Sequence, residues 1–138
     1  MAEAFAAGDV IVYPYRWVEE RDAGQSQDGA KDRPCCVVVT ATTSSGATLI
    51  FLAPVSSKPP RAGQTALRVP ALERKRAGLE RHPDAWVYVD EVNTDRPATS
   101  WYLEPQSPLG TFSKSFLARI SSEIRKPIRA DRIVARRP

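Results

Sequence analysis

Apolar residues of this chain fall in short runs separated by polar stretches, a pattern that predicts a protein built mainly from β-strands. Residues 10–13 form a run that ends at Pro14, which predicts a short strand near a sheet edge. Residues 35–41 follow Pro34, whose missing N–H suits the first position of a strand, and are apolar enough for burial on both faces. After a turn of Thr, Ser and Gly, residues 47–55 predict the antiparallel partner, so this hairpin should form the centre of the sheet.

Around this hairpin, the sequence predicts one long loop, a short helix and two more strands. The polar residues 15–32 indicate a long mobile loop after the first strand. Alternating polarity over residues 66–69 predicts an edge strand, and Pro70 then begins a short surface helix over 71–77. Residues 86–93 are rich in aromatic and β-branched side chains and predict one further strand.

The last predicted element is an amphipathic helix that begins near Ser113, a suitable N-cap. Proline cannot continue the hydrogen-bond pattern of a helix, so Pro127 is expected to end it. Residues 127–138 are expected to form a basic tail, to which the pattern assigns no structure. The apolar residues of the helix recur at spacings of one, three and four and share one face: Phe116, Leu117, Ile120 and Ile124.

These elements together predict a mainly β (α+β) fold, a small and strongly bent antiparallel sheet or partly open barrel with a C-terminal helix. A chain of 138 residues suits one domain over residues 1–126, followed by the tail at 127–138. No apolar run approaches the ~20 residues of a membrane-spanning helix. The N-terminus lacks the basic start and apolar stretch of a secretory signal, so a cytoplasmic location without membrane contact is expected.

Positive charge is concentrated in the C-terminal part of the chain. From Ser113 onward there are eight Lys or Arg residues and two acidic ones, a balance of +6, so the rest of a chain with net charge +4 is at −2. A basic segment on a mildly acidic body suits a polyanion or an acidic protein partner. A solvated helix face with a frayed tail would produce the same distribution, and both interpretations stay open.

The cysteine and histidine residues do not predict a metal site. Cys35 and Cys36 are adjacent in the central strand, so their side chains should point to opposite faces and act as small hydrophobic residues. A metal site needs three or four donors at suitable spacing, and the single His82 lies far away in sequence, where it is interpreted as a surface residue. No metal and no cofactor are expected.

Three short motifs occur in order along the chain: Gly8-Asp9, Arg33-Pro34 and Pro54-Val55-Ser56. In this order and spacing they resemble the MazF/PemK family of toxin endoribonucleases. Residues 86–94 and 110–113 resemble a later strand of that family and the turn into its final helix. The resemblance implies an SH3-like barrel and a toxin of a type II toxin–antitoxin system that cleaves single-stranded RNA at specific sequences, leaving a 2′,3′-cyclic phosphate.

The resemblance implies two catalytic residues, Arg33 and Ser56. Without a metal, cleavage would use the 2′-hydroxyl of the RNA as nucleophile and a protein cation to stabilise the dianionic phosphorane. Arginine suits this role because its planar fork holds two phosphate oxygens and stays charged. The Ser56 hydroxyl would bond a non-bridging oxygen or place the 2′-hydroxyl. A structural alternative pairs Arg33 with Asp32 or a loop acid and leaves Ser56 to cap a strand.

Aromatic and basic residues near these two positions are the candidates for RNA contacts, because bases stack on aromatic rings and phosphates pair with cations. The resemblance also implies a homodimer, joined through an edge strand or the amphipathic helix, and a small acidic antitoxin protein that covers the RNA groove. The candidate RNA-binding residues are Tyr15, Arg16, Trp17, Lys31, Ser57, Lys58 and Arg61.

The chain departs from the family pattern at two positions, where Glu91 replaces a Gln and Asn93 replaces an Arg, so RNA contacts or the dimer seam there are expected to differ. Two other functions therefore stay open. One is a non-catalytic SH3-like module that binds nucleic acid or protein through the same concave face, which Glu91 and Asn93 favour. The other is a gyrase-poisoning toxin of the CcdB-like kind, which would need neither Arg33 nor Ser56.

Overall fold

The computed structural model describes residues 5–126 and 130–136, which form a curled, mainly antiparallel half-barrel sheet with few helices. Within these two ranges, none of the helices has both the length and the apolar content needed to span a bilayer. The strands are β1 (Asp9–Pro14), β2 (Asp32–Thr42), β3 (Thr48–Ser56), β4 (Ala66–Arg68), β5 (Trp86–Tyr88), β6 (Val92–Asp95), β7 (Gly110–Thr111) and β8 (Ile133–Ala135). The helices are α1 (Val18–Asp22), α2 (Ala71–Arg76) and α3 (Lys114–Arg125), with 3₁₀ turns at Gln27–Gly29 and Ala130–Arg132.

The hairpin of β2 and β3 lies at the centre of the sheet, as its apolar residues predict. The strand order is β4-β5-β3-β2-β1-β7, so β4 is an edge strand and β1 lies one strand from the other end, both as predicted. The second edge of β3 is shared, because β6 pairs with residues 50–52 and β5 pairs with Val55 and Ser56. Pro54, which has no N–H to donate, lies between these two pairings.

Alternation along β2 divides the core into two layers, one on each face of the sheet. Cys36 and Val38 belong to the layer that also contains Phe116 of α3, whereas Cys35 and Val37 belong to the opposite layer. Both cysteines are free and fully buried, so the prediction that they point to opposite faces is confirmed. Burial raises the pKa of Cys36 to about 12 and also raises that of Cys35.

Helix α3 covers one face of the sheet, as its apolar spacing predicts. Ser113 is the N-cap, with its Oγ accepting a hydrogen bond from Phe116 N at 3.2 Å. Phe116 and Ile120 are buried, and the other two predicted apolar residues pack beside them. The apolar face of this helix is therefore used within the chain.

Some local predictions are corrected. Residues 15–32 are not a structureless loop, because they contain α1 and a 3₁₀ turn. Residues 86–93 do not form one strand: the chain leaves β4 after Tyr88 and pairs again with an earlier part of β3, which divides the run into β5 and β6. β2 begins at Asp32, so Pro34 is its third residue and lies opposite Val12.

The segment predicted as a basic tail contributes a strand instead, because β8 runs parallel to β6. Arg136 follows this strand and is buried, with its guanidinium carbon 4.0 Å from the ring centre of Tyr102 and 5.4 Å from that of Tyr13. It also donates to Asn93 Oδ1 at 3.2 Å. A buried arginine with an amide acceptor and two aromatic rings holds the chain end in the fold. The rest of the predicted tail, 127–129 and 137–138, and with it the predicted helix stop at Pro127, lies outside the described residues.

Candidate functional site

A groove of about 640 Å³ opens where β2 begins and β3 ends. Its walls come from α1 and the residue before it, from the chain that follows β3, and from β5. The groove has charges of both signs on its lining: Arg33, Lys58 and Arg61 are basic, and Glu19, Glu20 and Glu91 are acidic.

Both predicted catalytic residues line this groove, Arg33 from the start of β2 and Ser56 from the end of β3. The antiparallel register pairs Cys35 with Pro54. Arg33 and Ser56 each lie two residues beyond this pair, and side chains two residues apart share a face of a strand. The central hairpin therefore presents the guanidinium and the hydroxyl on the same side of the sheet.

Arg33 is half-buried, and its guanidinium carbon lies 5.4 Å from the ring centre of Trp17. Its Nε is buried and donates to no acceptor. The structural alternative, an ion pair with Asp32 or with an acid of the first loop, is absent from residues 5–126 and 130–136. The aromatic ring holds this cation beside the groove. Its terminal Nη groups have no acceptor among the described residues, so they are left for an anion.

Trp17 is held by its own neighbours. Its ring meets Tyr15 edge-on at 5.2 Å and Tyr88 edge-on at 5.3 Å between ring centres. Asn93 bonds the backbone of Arg16 twice, accepting from its N at 2.8 Å and donating to its O at 2.7 Å.

Glu91 Oε1 accepts from Val18 N at 2.9 Å, on the other side of Trp17. Asn93 and Glu91 thus fix the backbone before and after the tryptophan. Asn93 is fully buried, so its side chain serves the fold at this position.

Glu91 is an acidic side chain that is only 4% exposed, and burial disfavours its charged form. Burial raises its pKa above the ordinary value, while the hydrogen bonds from Val18 and from the Tyr15 hydroxyl, 3.1 Å away, and the charge of Arg132 act to lower it. Both Oε1 acceptor positions are therefore used inside the protein. Although Glu91 lines the groove, its contacts are those of a structural residue.

The Ser56 side chain makes one hydrogen bond with the described residues, in which its Oγ accepts from Lys58 N at 3.1 Å. This bond turns the chain after β3, as the strand-cap alternative predicts. A hydroxyl that accepts one hydrogen bond can still donate its own proton. The capping role and a contact to a bound oxyanion are therefore compatible at Ser56.

Three further candidates, Ser57, Lys58 and Arg61, line the groove after β3. The carbonyl of Lys58 accepts from the Tyr88 hydroxyl at 2.8 Å, which fixes its backbone while the side chain stays exposed. Arg61 Nη2 lies 2.8 Å from Glu19 Oε2, and both side chains are about 70% exposed. Arg61 is therefore paired with an acid, whereas Lys58 makes no ion pair with any residue in 5–126 or 130–136.

The other three candidates, Tyr15, Arg16 and Lys31, do not line the groove. Tyr15 is fully buried because it continues the inward-facing positions of β1 after Tyr13, so it cannot stack on a base. The guanidinium of Arg16 donates to Gln25 O at 2.7 Å, within the first connection. Lys31 is exposed, outside the groove. Trp17 is the member of the predicted aromatic group that reaches the site, and there it supports Arg33.

His82 lines the groove as well, although the sequence predicts only a surface residue. It is exposed, and its backbone is fixed after α2 by a bond from its N to Leu79 O at 3.1 Å and by Arg74 Nη1, which donates to its O at 3.2 Å. The sequence carries no signal for this position, because it depends on how the α2 segment folds back towards β5.

Among the described residues, no group of three or more His, Cys, Asp or Glu side chains is arranged to hold a metal ion. No family model, curated protein or solved structure matches this chain.

Proposed function

We propose that this protein is an endoribonuclease of the MazF/PemK type, with an SH3-like barrel, that cleaves single-stranded RNA without a metal ion. The proposal places it as the toxin of a toxin–antitoxin pair. The observation that carries it is the state of Arg33, a half-buried cation at a groove, seated on Trp17 and without an acidic partner in the described part of the chain. A structural arginine is normally paired, whereas one that binds phosphate keeps its donors free.

In the proposed reaction, the 2′-oxygen of the RNA attacks the adjacent phosphorus and the bond to the 5′-oxygen breaks. Negative charge builds on the non-bridging oxygens as the phosphorane forms. Arg33 donates to these oxygens, and Ser56, on the same side of the hairpin, donates its hydroxyl proton to one of them. Donors that are already in place lower the barrier because they need no reorganisation during the step.

The chain after β3 suits the path of the RNA backbone away from the reacting phosphate. Lys58 supplies an exposed cation there, and Ser57 supplies a hydroxyl. Glu19 and Glu20 line the same groove and repel phosphates. The affinity for nucleic acid is therefore expected to be moderate and to depend strongly on salt concentration. A small acidic antitoxin would use the same cations, Arg33 and Lys58.

A homodimer remains part of this proposal, and strand edges are the surfaces for it. The β1 edge is partly closed, because the Gln106 side chain accepts from Val12 N at 2.9 Å and donates to Val12 O at 3.0 Å. β4 lies at the other end of the strand order. Sedimentation of a chain with Leu67→Pro in β4 would test this edge, because proline removes a strand donor.

A binding module without catalytic activity is the second candidate, and the mixed charge of the groove favours it. Three acidic side chains share the lining with three basic ones, which suits a partner that carries both signs, such as a protein segment. The two functions differ in what Arg33 does: it stabilises a transition state in one and makes an ordinary contact in the other.

The deciding experiment compares the wild type with Arg33→Ala on a long single-stranded RNA in EDTA. Arg119→Ala is the matched control, because Arg119 also lies over an aromatic ring, Phe116, but on α3 and outside the groove. The proposal expects discrete cuts by the wild type and by Arg119→Ala, and a loss of at least about 100-fold for Arg33→Ala at equal thermal stability. RNA that stays intact with all three proteins would overturn it.

A further inference from the structure

The proposed reaction needs a group that moves a proton, which neither proposed catalytic residue can supply. A proton must leave the 2′-oxygen as it attacks, and another must reach the 5′-oxygen as its bond to phosphorus breaks. Arginine stays protonated throughout the accessible pH range, and a serine hydroxyl is a poor base. A proton-transfer group within reach of the phosphate contributes about 100-fold or more to such reactions.

Most titratable side chains of the groove are already engaged. Glu19 is paired with Arg61, and Glu20 Oε1 accepts from Trp17 N at 2.9 Å. Glu91 is buried and accepts two hydrogen bonds on one oxygen. The Tyr88 hydroxyl donates to Lys58 O, and its pKa is raised by burial and by Asp90.

His82 is the exception among these groups. Its side chain lines the groove and makes no hydrogen bond or ion pair with any described residue. Its backbone is held at the groove by hydrogen bonds to Leu79 and Arg74. An imidazole can both take and give a proton near neutral pH, which no other side chain in this groove is free to do.

From this arrangement we propose that His82 is the catalytic residue that transfers the proton during RNA cleavage. The inference rests on the proposed function. The neutral imidazole takes the proton of the 2′-hydroxyl as the O2′–P bond forms. The resulting imidazolium gives that proton to the 5′-oxygen as the P–O5′ bond breaks. The products are a 2′,3′-cyclic phosphate and a 5′-hydroxyl, and His82 returns to its starting state.

Charged groups of both signs lie around His82. The acidic side chains that line the groove are Glu19, Glu20 and Glu91, and the basic ones are Arg33, Lys58 and Arg61. Arg74 contacts the His82 carbonyl from α2. Bound RNA adds phosphates to this set of charges.

The test uses single-turnover cleavage by the wild type, His82→Ala and His82→Asn, with Glu80→Ala as a control in the same turn, exposed and outside the groove. Both His82 variants should lose about 100-fold in rate. Their affinity for a 2′-O-methyl RNA, which cannot be cleaved by this route, should stay within a factor of about two, as expected for one exposed groove contact. The rise of rate with pH that this mechanism predicts for the wild type should be absent from both His82 variants. Added imidazole should restore cleavage to His82→Ala but not to Arg33→Ala.

Each other outcome has a distinct meaning. If the wild type cleaves and the His82 variants cleave at the same rate with the same pH profile, the inference is overturned and the proposed function stands. A loss of rate that matches a loss of affinity, without rescue by imidazole, also overturns it, because His82 would then be a binding residue. If no protein in the set cleaves RNA, the proposed function fails first.

Discussion

The guanidinium of Arg33 lies over the ring of Trp17, with 5.4 Å between the guanidinium carbon and the ring centre. The tryptophan follows β1, and the arginine is the second residue of β2, so the contact joins the two ends of the first connection. Asn93 and Glu91 fix the backbone on either side of Trp17. The Trp17 ring thus positions the proposed catalytic cation, and Asn93 and Glu91 position the ring.

Replacement of Trp17 should weaken catalysis through Arg33. A partly buried cation–π contact contributes about 1 kcal/mol, so Trp17→Leu is expected to lose roughly fivefold in single-turnover cleavage rate beyond any loss of stability. Trp17→Phe keeps an aromatic face and should lose less. Trp101→Leu is the control, because Trp101 is exposed and outside the groove. Equal rates for Trp17→Leu and the wild type would contradict the role of the ring.

Glu19→Gln should strengthen binding of RNA. The substitution removes a negative charge from the groove and releases Arg61 from its ion pair. Affinity for a 2′-O-methyl RNA is expected to rise roughly threefold at low salt, since exposed pairs of this kind are worth up to about 1 kcal/mol. The dependence of affinity on salt should also become steeper.

Asp22→Asn is the control for this change, because Asp22 is paired with Arg21 on the same helix but lies outside the groove. It removes the same charge and should have a smaller effect. A lower affinity for Glu19→Gln than for the wild type would mean that the ion pair supports the site rather than competing with RNA.

Glu91→Gln should alter the pH dependence of stability. The pKa of Glu91 is raised in the folded state, so its contribution to stability is fully present below the unfolded pKa near 4.5 and is lost as pH rises through the folded pKa. Glutamine can still accept from Val18 and Tyr15 but does not titrate. The free energy of unfolding of Glu91→Gln, relative to the wild type, should therefore increase from about pH 4.5 towards neutral pH.

Urea unfolding of the two proteins between pH 4 and pH 7 checks this prediction. A difference that stays constant with pH, or that decreases as pH rises, would contradict the assigned direction. Asn93→Asp would place a buried carboxylate beside Arg136. The free energy of unfolding of this variant would show what a further buried charge costs at this position.

The two cysteines should be unreactive in the folded protein. Both are fully buried, and burial raises both thiol pKa values, so little thiolate is present at neutral pH. Labelling by iodoacetamide is expected to proceed at the rate of unfolding and to speed up with urea. Labelling of the native protein as fast as the urea-denatured protein would contradict the burial of this strand.

The central part of the fold was predictable from sequence because its signals are local. The β2–β3 hairpin, the Ser113 cap and the apolar face of α3 each depend on residue patterns within one element. The division of 86–93 into β5 and β6 was not predictable in this way, since it depends on two different partners along β3. The strand at Ile133–Ala135 is three residues long and parallel to β6, so it leaves little pattern in a basic segment.

Candidate residues at the end of a single strand could be predicted from the sequence. Candidate residues whose position depends on the packing of several elements could not. Arg33 and Ser56 follow from motifs at the ends of the central hairpin. Tyr15 is on the buried side because strand alternation continues past Pro14, a detail that the aromatic and basic composition of that segment does not reveal. His82 reaches the groove only through the packing of the α2 segment, for which no local pattern exists.

The most direct test of this account uses wild-type protein, EDTA and two versions of one RNA. Cleavage sites are first mapped on the unmodified RNA, and the RNA is then made with a single 2′-deoxy nucleotide at one mapped site. Attack by the 2′-oxygen would produce fragments that end in a 2′,3′-cyclic phosphate, and the cut should be lost at the modified site alone. Continued cleavage at the deoxy site, or an intact unmodified RNA, would contradict the account.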